Sequence, residues 1–162
     1  MKSRITDDLN SWIRREVTYT APDKLGRAAI RYFALALDDD NPVYRDEEFA
    51  KSTVHEGIIA PPTLVCDTNQ FINQKLDENG YIGHDWKLPL SDGRFIRGGN
   101  DYEFIQPVRP DDRVTVIWKI VDIYERETRK LGGLIFVVSE ARYFNQRNEL
   151  LAINRETNIY SP

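Results

Sequence analysis

Cysteine is almost absent from this chain: Cys66 stands alone among 162 residues. No disulfide can therefore form within it, which points to a reducing compartment, with the cytoplasm as the default expectation. Histidine is nearly as scarce, as His55 and His84 only. Two imidazoles and one thiol far apart in sequence make no metal-ligand spacing, so no metal site is expected. A basic surplus is missing as well: 22 Lys and Arg stand against 26 Asp and Glu, a net charge of −4. That balance gives no broad footprint for nucleic acid, and any anionic ligand must be held by local Arg or Lys groups. No apolar run approaches the length of a membrane span, and the N-terminus lacks the apolar segment of a secretory signal. Neither repeats nor low-complexity tracts are evident.

What is present suits one folded domain over residues 1–162: 41% apolar and 30% charged residues, in a length that can bury a core. Ile5, Leu9, Trp12 and Ile13 fall at helical spacing, predicting a short amphipathic helical extension within residues 1–15. Residues 16–20 alternate, with Val17 and Tyr19 on one face, and read as a strand. Residues 24–37 are apolar nearly all round, which predicts a buried helix. Asp38, Asp39 and Asp40 then sit at its C-terminal end, the wrong end for acids on dipole grounds. A solvated turn punctuated by Asn41-Pro42 is one reading; a site that uses the carboxylates is the other.

After a helical turn over 46–51 and a loop through His55, Pro61 and Pro62 suit the entrance to a further helix. Leu64, Val65, Thr68, Phe71 and Ile72 follow at helical spacing, making this the expected central helix. The polar stretch 77–92, with Gly80, Gly83, Pro89 and Gly93, is long enough to read as a lid or binding loop. Strands are expected over 94–108, 113–124, 134–144 and 150–160. In the last of these Leu151, Ile153, Arg155, Thr157 and Ile159 form one alternating set. Gly98 and Gly99 predict a bulge or a close approach, and 145–148 a hairpin turn. Successive strands with short connections argue an antiparallel sheet, hence an α+β class.

Four segments carry a resemblance. Asp39-Asp40-Asn41-Pro42-Val43-Tyr44-Arg45-Asp46 resembles the hydratase motif of MaoC-like enoyl-thioester hydratases, roughly Gly-Asp-x-Asn-Pro-(Ile/Leu/Val)-His-x-Asp. Ala60-Pro61-Pro62-Thr63 and Arg97-Gly98-Gly99-Asn100-Asp101-Tyr102-Glu103-Phe104 are similar to the N-terminal, FAS1-like type of that dehydratase family. Pro107-Val108-Arg109-Pro110-Asp111-Asp112 fits its turn before a strand, and the likeness runs from about Gly26 to Tyr160. The resemblance implies a hot-dog fold, an antiparallel sheet wrapped around a long central helix. It implies a hydro-lyase acting on an acyl-CoA or enoyl-CoA thioester, with no cofactor beyond that substrate.

The resemblance also assigns roles. Asp39 matches the family carboxylate and Asn41 the turn residue, while Tyr44 occupies the position of the catalytic His. A phenol with an ordinary pKa near 10 is a poor base at neutral pH. His55, in a nearby loop, is the one candidate to replace it; His84 and Cys66 read as structural. The backbone donor that polarises the thioester carbonyl falls near Pro62, which has no N–H, leaving Thr63 as the substitute. Ala60, Pro62, Thr63, Gly98, Gly99 and Asn100 are the expected thioester contacts. Arg97 and Arg109, with Arg94 and Arg113, are the expected CoA phosphate contacts. The pattern implies a subunit that works beside a homologous chain with an intact Asp and His. A self-sufficient homodimeric hydratase using Asp39 with Tyr44 or His55 stays open, as does a non-enzymatic acyl-thioester binding module. A thioesterase is a weaker fourth option.

Overall fold

The computed structural model describes residues 3–67, 69–78, 80–90 and 94–162. Five strands form one antiparallel sheet: β1 (Glu16–Thr20), β2 (Phe95–Phe104), β3 (Thr115–Thr128), β4 (Gly132–Phe144) and β5 (Leu150–Tyr160). Their spatial order is β1-β3-β4-β5-β2. The three central strands are a meander, because tight turns such as that at Asn145–Asn148, with Asn148 in the left-handed region, return each strand beside the last. β1 and β2 close the two edges. Val116, Trp118 and Ile120 of β3 and Ala141 and Tyr143 of β4 are buried, so the alternation read from the sequence is the alternation of burial.

The strand bounds expected from sequence hold to within a few residues; the helices differ more. The N-terminal extension contains only α1 (Asp7–Asn10), capped by the Thr6 hydroxyl, which accepts from the Leu9 N–H at 3.1 Å. Its continuation stops where Arg14 enters the left-handed region, and Trp12 and Ile13 pack beside buried Leu9 without a helix to carry them. The expected buried helix is α2 (Arg27–Ala36), and it lies on the surface. Ile30 and Ala34 are buried, but Tyr32, Leu35 and Leu37 are more than half exposed. Its apolar residues therefore split between a core face and a face left exposed among the described residues.

The segment expected to be the central helix is two 3-10 turns, Pro62–Asp67 and Asn69–Phe71. Composition accounts for the difference: Thr63, Val65, Cys66 and Asp67 have poor helix propensity, and Pro61 and Pro62 remove two donors. The α+β hot-dog layout stands, with a tighter and shorter element lying across the sheet.

α2 ends in a Schellman motif. The Asp39 N–H donates to the Ala34 carbonyl at 2.9 Å and the Asp38 N–H to that of Leu35 at 3.1 Å. Asp38 holds the left-handed position, φ 54°, that glycine usually fills. Asp38→Gly relieves that conformation and removes an acid from the helix C-terminus, so it should stabilise the fold by about 1 kcal/mol. Urea unfolding checks this; a lower midpoint would show that the aspartate side chain matters more than its backbone.

Candidate functional site

The Asp-x-Asn-Pro turn builds itself from side-chain caps. An Asp39 carboxylate oxygen accepts from the Asn41 N–H at 3.1 Å, and the Asn41 amide oxygen accepts from the Val43 N–H at 3.1 Å. Pro42 then opens the 3-10 turn Pro42–Tyr44, and Asp46 caps α3 (Glu47–Ser52) through the Phe49 N–H at 3.0 Å. Val43 is buried and Tyr44 packs beside it against the main core. This fixes the Tyr44 ring close to Asp39. Burial first, and then the negative charge of Asp39, push the Tyr44 phenol above its ordinary value. At neutral pH it is a hydrogen-bond donor and not a base.

The next group is held by Arg109. Its guanidinium donates to the His55 carbonyl at 2.7 Å, and its own N–H donates to buried Asp112 at 2.8 Å. The Ala60 N–H donates to Val108 at 2.8 Å. Arg109 is thus tied to the loop that carries the Ala60–Thr63 motif. That loop borders an apolar groove of about 320 Å³, lined by His55, Ile59, Ala60, Pro62, Phe104 and Leu151 among others. Thr63 is exposed just past it.

The third group is on the sheet. β2 bulges between Arg97 and Gly99. A Cβ on Gly98 would lie 3.0 Å from the Thr157 carbonyl oxygen and the Ile159 side chain, so a side chain there would crowd β5. Arg97 and Asn100 border a cavity of about 380 Å³ between the sheet, the 3-10 turns and residues 81–84. Arg94 and Arg113 are exposed beside the strand ends.

The structure therefore brings Asp39, Asn41 and Tyr44 together, places His55, Ala60 and Pro62 on a groove, and puts Arg97 and Asn100 at a cavity. Sequence reasoning missed most of that cavity's lining. Strand register sets Trp118, Ala141, Asn154 and Tyr102 in one row across four strands. In β5 Leu151, Ala152, Asn154 and Asn158 are buried, so burial there does not follow the alternating set Leu151, Ile153, Arg155, Thr157 and Ile159 alone. Three polar side chains on one parity, Asn154, Glu156 and Asn158, look like a wet face; here they face the cavities.

His84, read from sequence as a structural residue of the long loop, is packed among aromatic rings. Its ring stacks on Trp118 at 4.9 Å, meets Trp86 edge-on at 4.4 Å, and its Nδ1 lies 3.0 Å from the Tyr19 hydroxyl. Burial lowers its pKa to about 4, with Asp85 pulling weakly the other way. It is neutral at neutral pH and cannot act there as a general acid. No cluster of metal-binding side chains occurs among the described residues.

Comparison with known proteins decides the family. Residues 11–154 match the FAS1-like, dehydratase domain region. The chain belongs to that family. A UPF0336 protein of Streptomyces coelicolor is 38% identical over 106 residues, 65% of this chain and 67% of that one. The ChsH1-ChsH2 complex from Mycobacterium tuberculosis contains a chain that superposes with a TM-score of 0.70 at 19% identity, covering 88% of this chain and 82% of that one. The C-terminally truncated HadBC (3R-hydroxyacyl-ACP dehydratase) complex of the same organism gives 0.63 at 22% identity, covering 90% and 96%. The fold of this FAS1-like dehydratase domain is the hot-dog fold of MaoC-like hydratases. No helix of the described residues is long and apolar enough to cross a membrane.

Proposed function

We propose that this FAS1-like dehydratase domain is the substrate-holding subunit of a MaoC-like hydratase or dehydratase, completed by a homologous chain that keeps the catalytic histidine. The observation that carries the reading is Tyr44: it stands at the base position, beside Asp39, with its phenol held protonated. The reaction joins water to an enoyl thioester. A base takes one proton from water, the oxygen bonds to the β-carbon, and a proton reaches the α-carbon to give the 3-hydroxyacyl thioester. Here the partner's Asp and His move the protons. This chain binds the thioester along the Ala60–Thr63 groove and the acyl body beside it. An acyl-CoA or acyl carrier protein thioester is the ligand.

Two surfaces support a second chain. β2 is an edge strand, exposed along its whole length, with Tyr102 and Phe104 stacked at 5.8 Å. α2 adds Tyr32, Leu35 and Leu37. The solved neighbours cited above are themselves two-chain complexes by name. A self-sufficient homodimer has one observation behind it, the position of His55 on the groove shared with Ala60 and Pro62.

Co-expression with a homologous chain that retains the Asp…His motif tests the reading. A one-to-one complex that survives gel filtration is expected. A homodimer that excludes the second chain and is fully active would overturn it.

A further inference from the structure

The outward face of the sheet carries a row of charges that alternates in sign from one edge to the other. Register sets Glu16 of β1, Lys119 of β3, Glu140 of β4, Arg155 of β5 and Asp101 of β2 beside one another in turn. Lys119 meets Glu16 at 2.9 Å, and Arg155 meets Glu140 at 3.1 Å. Arg142, two positions along β4, holds the other Glu140 oxygen at 2.7 Å. Glu140 is only 8% exposed, and both its oxygens are engaged by guanidinium groups. Asp101 ends the row at the edge, exposed and with no ion pair or side-chain hydrogen bond among the described residues. Glu103, next on the same face of β2, is equally exposed and has none either.

β2 offers ten residues of unpaired edge, and a second copy of this chain fits it badly. In an antiparallel pair about a two-fold axis normal to the sheet, residues of one face meet residues of the same face. With that axis at Asp101, Tyr102 or Glu103, at least two of the four acids stand directly opposite each other. With it at Asn100, Asp101 meets its own copy on the diagonal. Registers centred nearer the bulge or past Phe104 lose the regular ladder or most of its length. Arg97, the cation of the same strand, is placed by the bulge on the concave side at the cavity, so it does not answer the acids.

We infer that β2 docks the edge strand of a second, different chain that presents Lys or Arg opposite Asp101 and Glu103, continuing the alternating row into a two-chain sheet. The inference rests on the reading that a homologous chain completes this one, and it names the edge used and the chemistry of the partner's edge. Opposite charges across a ladder attract and like ones repel, so the same two acids admit such a partner and refuse a second copy.

The test supplies a basic edge as a copy of the full chain carrying Asp101→Lys and Glu103→Lys. Both sites are exposed, so these substitutions leave the core untouched. Sedimentation velocity should show each chain monomeric alone and a heterodimer in the mixture, associating about tenfold or more tightly than either with itself. The β2 amides should be protected from hydrogen exchange only in the mixture, and added salt should weaken it. Asp101→Asn with Glu103→Gln, which removes the repulsion alone, should self-associate more tightly than the parent. A parent homodimer with protected β2 amides, or a mixture no tighter than its components, overturns the inference. A complex with a homologous Asp…His chain should be weakened about tenfold or more by the two Lys substitutions. Indifference of that complex to them overturns the inference and leaves the functional reading standing. Failure of every such homologue to bind overturns both together.

Discussion

Purified by itself, the chain should hydrate enoyl thioesters about 10⁴–10⁷-fold more slowly than when combined with a homologous chain that has an intact Asp and His, about 10²–10⁴ for the missing base and about 10²–10³ for the missing oxyanion donor. The deficit has a specific origin. Tyr44 replaces an imidazole, and both burial and the nearby Asp39 charge favour its protonated form. Raising the pH through the ordinary phenol range does not rescue it, because the shift is upward. Tyr44→His returns a titrating base beside Asp39 and should recover part of the rate. Pro62 still lacks the N–H that would polarise the thioester carbonyl, so about 10²–10³ of the deficit should remain. In the two-chain enzyme, Asp39→Ala in this subunit should change the rate little, since the proton transfers run through the partner. Initial rates of enoyl-thioester loss, with and without the second chain, measure all of this. Equal rates with and without it would end the two-chain reading.

Acid should loosen the region around His84 well before it unfolds the sheet. The pKa of about 4 in the fold lies below the ordinary 6.5, so the unfolded chain binds the proton more readily. Above about pH 6.5 both states are neutral at this residue and no penalty applies. As pH falls from there towards 4, the unfolded state gains a proton that the folded state refuses, and stability drops. By about pH 4.5 the loss from this one group is on the order of 2–3 kcal/mol, or roughly 5–10 °C in Tm for a chain of this size. Protonation also places a charge against Trp86 and Trp118. His84→Phe should flatten this part of the profile. A variant whose Tm falls in parallel with the parent would assign the acid sensitivity to other groups.

Much of the architecture could be read directly. β1 was legible because Val17 and Tyr19 alternate with polar neighbours, and β3 because Val116, Trp118 and Ile120 do. The Asp39–Tyr44 turn was legible because its conformation is set by Asn and Pro side chains acting on their own backbone. What could not be read depended on distant partners. Helical spacing over 64–72 was present, but poor propensity and two prolines gave 3-10 turns instead. α2 looked buried because sequence alone does not show which of its apolar residues turn away from this chain's own core. His84 looked incidental because its neighbours Tyr19 and Trp118 are far from it in sequence. The burial of Asn154 has the same source: an Asn in a strand gives no sign of a buried position until the cavity beside it is known.

The irregularity at Gly98 has one more effect. In an unbroken strand, Arg97 and Tyr102 would point to opposite sides, since they are an odd number of positions apart. The extra residue resets the count. Arg97 pairs with Asn158 and Tyr102 with Asn154, two partners of equal parity, so a cation and a phenol from one strand border the same hollow. Deleting either glycine would remove the extra residue and leave Arg97 opposite Asn158, on the same side as Tyr102, while every pairing from Asn100 onward stayed as it is. Ironing out the bulge with both glycines kept would instead slide Arg97 opposite Ile159 and turn it to the other face, so the bulge is what keeps a cation at the mouth of the hollow.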